Sequence, residues 1–220
     1  MRERPENESE STPSARPMPR YSRFRKSMIS FFLLAVGGSI LTLASCSSPI
    51  SNRSPVGETF PVVRGESLKG DAVELPSAVL GVPAILMVGY VQGTQFDLDR
   101  WTLGFAQAKA KIKVVEVPAV VGWFPDTFLQ GTIDNGMRAG IPAEDWEAVV
   151  TLYGKDAKRI QELTGNENPR NGRILLLDEQ GRIRWFWDQG YSSTRLLELL
   201  ELASTLPPAA AASTENSTAD

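Results

Sequence analysis

The sequence predicts an α/β domain with a mostly parallel central sheet, helices on both faces, and a C-terminal antiparallel hairpin followed by a helix. Three observations predict it. Strand-like and helix-like segments alternate through the middle of the chain, a pattern that lays helices on both faces of a parallel sheet. Pro83 to Val91 (PAILMVGYV) is a nearly unbroken apolar run, as in a strand buried on both faces. Arg173 to Asp178 and Arg182 to Asp188 flank Glu179-Gln180-Gly181, a hairpin signal.

Gly57 to Val63 and Ala72 to Leu75 read as short strands around a Gly65–Gly70 turn. Pro83 to Val91 is the central strand. Gln95 to Ile112 is helical, because Leu98, Trp101, Phe105, Ala108 and Ile112 recur at steps of three and four and form one apolar stripe. Lys113 to Val117 (KVVEV) is a second parallel strand, closed by Pro118. Asp126 to Ala139 reads as a helix weakened by Gly131 and Gly136. Ala148 to Tyr153 is a further strand, and Asp156 to Thr164 a short helix with Gly165 at its C-cap. After the hairpin, Ser192 or Ser193 caps a helix running to about Leu206, with Leu196, Leu199, Leu200 and Ala203 on its buried face.

Composition narrows the chemistry. The 220 residues include no His and one Cys, with a net charge of −3. Without His, Ser-His and Cys-His nucleophiles and His-bearing metal sites are excluded. A single Cys excludes an intrachain disulfide, a CxxC pair and a thiolate metal cage. Residues 46–220 are mildly acidic and lack a basic stripe, which argues against nucleic acid. No cofactor and no metal are expected.

The first 45 residues read as an address. A polar leader precedes a basic cluster (Arg20, Arg23, Arg25, Lys26), an apolar run from Met28 to Leu43, and Leu43-Ala44-Ser45-Cys46. A basic region, a short apolar core and small residues before a cut are the parts of a secretory signal. The long leader leaves Met1, Met18 and Met28 as alternative starts. Leu-Ala-Ser-Cys resembles the lipobox of bacterial lipoproteins. The resemblance implies cleavage between Ser45 and Cys46, acylation of Cys46, and a body outside the cytoplasmic membrane; Ser47 after the Cys implies the outer membrane. An uncleaved membrane anchor is the alternative. Residues 46–56 then form a lipidated, flexible tether, 57–206 the domain, and 207–220 a disordered tail.

The order of elements over Gly57 to Leu206, with its parallel start, closing hairpin and terminal helix, resembles the thioredoxin fold. In redox members of that fold the nucleophilic Cys opens the helix after the first long parallel strand. The matching segment, Gly89 to Trp101, has no Cys, and Asp97 and Asp99 there would oppose a thiolate. The family's cis-proline should fall near Gly172, and Pro169 comes three residues early. Disulfide exchange, peroxidase chemistry and copper delivery are therefore not expected. Gly89–Trp101 together with Asn166-Glu167-Asn168-Pro169 resembles the mitochondrial ATP synthase assembly-factor family and its bacterial relatives. That resemblance implies a non-catalytic binding or assembly role toward an envelope protein complex.

The candidate residues carry two readings each. Thr94-x-x-Asp97 fits a capping box with Asp99 in the first turn; alternatively Tyr90, Gln92, Gln95, Asp97 and Arg100 form a polar partner-binding surface at the strand's carboxyl end, where α/β sheets take ligands. Asn166, Glu167 and Asn168 are turn formers or the flank of that surface. Trp185 and Trp187 pack under the last helix or join Arg184 in a docking patch. Trp123 in Trp123-Phe124-Pro125 would anchor a partner or a lipid surface if exposed. The functional alternatives are a small-ligand or lipid-binding module, and a non-thiol enzyme at the Gly89–Trp101 edge.

Overall fold

The strands form one seven-stranded sheet in the order β2-β1-β5-β4-β3-β6-β7. They are β1 (Val63–Ser67), β2 (Ala72–Leu75), β3 (Ala84–Gly89), β4 (Lys113–Val120), β5 (Val150–Tyr153), β6 (Arg173–Leu177) and β7 (Ile183–Trp187). The helices are α1 (Gln95–Gln107), α2 (Thr127–Gly140), α3 (Gly154–Thr164) and α4 (Ser193–Thr205). This computed structural model describes residues 49–122 and 127–207, and the side chains of 127–129 fall outside the description.

The parallel part is the centre, where β4 lies between β3 and β5. Antiparallel pairs extend it on both sides, β1 against β5 and β2, β6 against β3 and β7. The sheet is therefore mixed, with parallel strands confined to its middle. Its two faces bury separate cores. One joins Leu86, Val88, Val117 and Leu152 to Ala157, Ile160 and Leu163 of α3. The other joins Ile85, Met87, Ile174 and Leu176 to Leu98, Trp101 and Phe105 of α1 and to Leu196 and Leu199 of α4. Helices on both faces follow from this split, and the fold is the thioredoxin-like class.

Four boundaries differ from the sequence reading. The first strand starts at Val63, where it was expected to end. Gly65 sits inside it because a Cβ there would lie 2.4 Å from the Thr151 carbonyl oxygen, and the turn comes instead at Gly70 (φ +97°). Helix α1 stops at Gln107 rather than Ile112. Lys109 takes φ +52°, and the Lys109 and Ala110 N–H groups donate to Ala106 and Phe105 carbonyls at 3.1 and 3.0 Å. This is a Schellman end built on a lysine, and it turns the chain back toward β4 with Ala108 exposed. Strand β4 runs through Pro118, whose partner Gly89 is the last residue of β3, so the missing donor falls at the end of that ladder. Strand β5 begins at Val150 because residues 143–148 form a 3-10 turn.

The segment expected to be a flexible tether, 46–56, is bonded to the domain over residues 50–53. Ile50 exchanges hydrogen bonds with Asn166, the Asn52 N–H donates to Glu167 at 3.0 Å, and the Arg53 N–H donates to the Thr164 carbonyl at 3.2 Å. The hairpin, α2, α3 with Gly165 after it, and the Ser192 cap of α4 all form where the sequence pointed.

Candidate partner-binding edge

The carboxyl ends of the parallel strands, with the loops beside them, make one edge. It collects the β3–α1 loop, the 165–172 loop before β6, the docked segment 50–53, and the end of β7. The two main loops are joined by Thr94, whose hydroxyl accepts the Val91 N–H at 3.2 Å and donates to the Pro169 carbonyl at 2.7 Å. Gly93 lies against the stem of Arg170.

Two of the residues placed on this surface are inside it. Tyr90 is buried, and its hydroxyl donates to the Ile160 carbonyl at 2.9 Å and lies 2.6 Å from Thr164 Oγ1. Burial pushes its pKa up to about 12. Tyr90 therefore fills the α3 core instead of facing a partner. Asp97 is 6% exposed. Its carboxylate does not return to Thr94 as a capping box would. It accepts the Gly172 N–H at 2.8 Å and the Tyr191 N–H at 2.7 Å. One carboxylate thus ties α1 to the loop before β6 and to the loop before α4. The position expected near a cis-proline is occupied by Gly172, where a Cβ would meet Leu98 at 2.4 Å; among the described residues the cis peptide bond is Leu75–Pro76.

Gln92, Gln95 and Arg100 are exposed at the edge. Gln95 donates to Asp99 at 2.9 Å. Asn166, Glu167 and Asn168 lie in the 165–172 loop beside this edge, and the docked segment takes bonding groups of Asn166 and Glu167. The Asn166 side chain accepts the Ile50 N–H at 2.6 Å. Asn168 turns the chain at φ +53°. Trp123, Ser45 and Cys46 lie outside the described residues.

The residue that organises the loop is Arg173, which the sequence presented only as the first residue of a strand. Its side chain is buried. Nη1 donates to the Asn168 and Asn171 carbonyls at 3.1 and 2.7 Å, and Nη2 donates to the Glu167 carbonyl at 2.5 Å and to Asn52 Oδ1 at 3.1 Å. The guanidinium lies 5.0 Å above the Tyr90 ring. A planar five-donor group is suited to this work, where an ammonium would leave carbonyls unpaired. Its local sequence, Asn171-Gly172-Arg173, carried no sign of it. Glu116 was missed as well. It sits under α1, and burial, helped by the charge of Asp99, pushes its pKa up to about 7.

Trp185 and Trp187 pack with α4. Trp185 donates to Glu198 at 3.0 Å, and the Arg195 guanidinium stands 4.6 Å over Trp187. Away from the edge, a polar cleft of about 440 Å³ opens between α2 and the β1–β5 ladder. In it Tyr153 donates to Asp134 at 2.8 Å, and the buried Thr151 hydroxyl has no partner among the described residues. Among the described residues no cluster of His, Cys, Asp and Glu is arranged to hold a metal.

Residues 59–201 match the model of a family described as ATP10 protein (ATP-synt_10). No curated protein matches the chain. Among solved structures, yeast Sco1 superposes with a TM-score of 0.50 at 15% identity, covering 69% of this chain and 97% of that one. A SCO1/SenC family lipoprotein from Bacillus anthracis str. Ames gives 0.47 at 12% identity, covering 71% and 99%. The exposed lipoprotein thioredoxin Etrx1 from Streptococcus pneumoniae strain TIGR4 gives 0.44 at 13%, covering 64% and 99%. At such identities the likeness to yeast Sco1 is one of fold.

Proposed function

The chain belongs to the ATP10 protein family, and on that premise we propose that it is a redox-inactive assembly factor for a membrane respiratory complex, tethered to the cell envelope by lipid on Cys46. The observation that carries the reading is the fate of the helix start after β3. Thr94 and Asp97 occupy the place from which thiol chemistry would run, and both are consumed in bonds to neighbouring loops. What that edge offers to solvent is Gln92, Gln95, Phe96, Arg100 and Arg170, which are groups for contact. The single Cys of the chain lies 49 residues before Gln95, in the lipobox-like Leu43–Cys46.

Crosslinking of the full chain in intact cells, followed by identification of captured proteins, tests the role. Subunits of a membrane respiratory complex are expected. Their absence from the captured set, or reduction of insulin by the purified protein, would overturn it. Metabolic labelling with a palmitate analogue tests the anchor: wild type should be labelled and Cys46→Ala should not, and equal labelling removes the lipobox reading. A body outside the cytoplasmic membrane, on the outer membrane by the Ser47 signal, follows from the same anchor.

A second reading, a small-ligand module, draws support from the Thr151 hydroxyl in the polar cleft, which has no partner among the described residues. A small polar molecule retained by the purified chain in native mass spectrometry would favour it.

A further inference from the structure

We propose that the docked segment 50–53 orients the domain, holding the carboxyl edge of its sheet against the bilayer with Phe96 and Val91 in the lipid interface and Arg100 and Arg170 on anionic headgroups. This rests on the lipid anchor at Cys46 and adds to it a direction.

The geometry comes from chain length. Ile50 is fixed by two hydrogen bonds to Asn166, from its N–H at 2.6 Å and to its carbonyl at 2.9 Å. Asn52 is fixed three times: its backbone N–H donates to Glu167 at 3.0 Å, its side-chain Nδ2 donates to Asp188 at 2.8 Å, and its side-chain Oδ1 accepts from Arg173 at 3.1 Å. Gly165 makes room for this segment, since a Cβ there would lie 2.4 Å from the Asn52 Cα. Cys46 precedes Ile50 by four positions, and four extended steps of the chain reach about 14 Å at most. An acyl chain on Cys46 is therefore bound close to the loop that carries Asn166 and Glu167, and a long swinging tether is excluded.

The surface at that edge is suited to a bilayer. Phe96 is 67% exposed and Val91 45% exposed. Arg100 follows Phe96 by one helical turn, on the same face of α1. Arg170 lies beside Gly93. Neither arginine has an ion pair among the described residues, whereas Arg53, Arg64, Arg159, Arg184 and Arg195 do. An exposed aromatic ring flanked by unpaired arginines, latched near an acylated residue, matches the headgroup layer, where aromatic and basic side chains anchor peripheral proteins.

The test uses the acylated full-length chain in vesicles of phosphatidylethanolamine with phosphatidylglycerol. Acylation occupies Cys46, so a single introduced cysteine takes a spin label without competition. Phe96→Cys reports the carboxyl edge. Val82→Cys, an exposed position just before β3, reports the opposite edge. The ratio of relaxation by oxygen to relaxation by a water-soluble nickel chelate should be several-fold higher at 96 than at 82. A flexible Gly-Ser insert after Ser48 should lower the ratio at 96 while leaving acylation intact. Equal ratios at 96 and 82 in a chain that mass spectrometry finds acylated would overturn the orientation and leave the anchor standing. An unacylated Cys46 would remove the anchor and the orientation with it. A label at 96 that is shielded in cells but open to water in these vesicles would also overturn the proposal, in favour of a protein partner at that edge.

Discussion

Asp97 and Glu116 are both carboxylates of the α1 side of the sheet, and their environments set opposite predictions. Asp97 accepts two backbone N–H groups, one on each oxygen. Asp97→Asn would point an amide NH₂ at one of these donors and leave it unpaired, at a cost of about 2–4 kcal/mol. Urea unfolding should show that loss; full stability would mean the carboxylate is not the tie described. Glu116 works in the other direction. Its folded pKa is about 7 against 4.5 for the free group, with burial the larger cause and Asp99 the next. Between those values the folded chain holds a proton that the unfolded chain has released, so stability falls as pH rises through that window. Glu116→Gln should therefore stabilise by about 2–3 kcal/mol above pH 7 relative to its effect near pH 4, read from melting temperatures across pH. A difference between variant and wild type that does not change with pH would remove Glu116 as the cause. Neither role was legible beforehand. Thr94-x-x-Asp97 is a local pattern that suggested a local cap, while the donors that capture Asp97 lie 75 and 94 residues away. Tyr90, read as surface, sits at the end of an apolar run whose inward direction depends on α3.

At the scale of elements, the strands and helices were legible wherever periodicity and turn chemistry agreed. The β6–β7 hairpin closes on Gly181, α3 ends at Gly165, and Ser192 caps α4 through the Arg195 N–H. They were misread where the signal residue was atypical. The end of α1 was placed too late because its left-handed position holds Lys109 in place of the usual glycine. That substitution predicts its own repair. Lys109→Gly should raise stability by about 0.5–1 kcal/mol, because the native φ of +52° costs a lysine what it does not cost a glycine. A lower melting temperature would contradict the Schellman geometry. Gly65 misled in the reverse sense, being present for the close approach of Thr151 and not for a turn. Gly165 serves two elements at once. Gly165→Ala would strain the positive φ after α3 and drive a methyl group into the backbone of Ser51 and Asn52. The expected result is rapid amide exchange at Ile50, Asn52 and Arg53, with the exchange of β3 and β4 unchanged; retained protection at Asn52 would contradict the contact.

For the whole molecule, the consequence is where the domain begins. Composition made residues 46–56 a tether, because Ser, Pro and Asn are loop formers and no apolar period runs through them. The partners that hold them are contributed by residues more than a hundred positions later: Asn166, Glu167, Arg173 and Asp188. A body starting at Gly57 lacks Asn52, so Nη2 of the buried Arg173 guanidinium loses one of its two acceptors and the backbone N–H of Asn166 loses its partner. A body starting at Pro49 keeps both. Half a dozen hydrogen bonds at about 1 kcal/mol each, set against the entropy of ordering a few residues, leave a net difference of about 2 kcal/mol. Residues 49–207 should therefore unfold at a higher denaturant midpoint than residues 57–207, each in one cooperative transition. Arg173→Lys should narrow that gap, because a lysine cannot bridge Glu167, Asn168, Asn171 and Asn52 together. Coincident midpoints for the two bodies would mean that the segment rests on the domain without stabilising it. The domain would then begin at Gly57, as composition alone suggests, and the chain before it would carry no direction to the membrane.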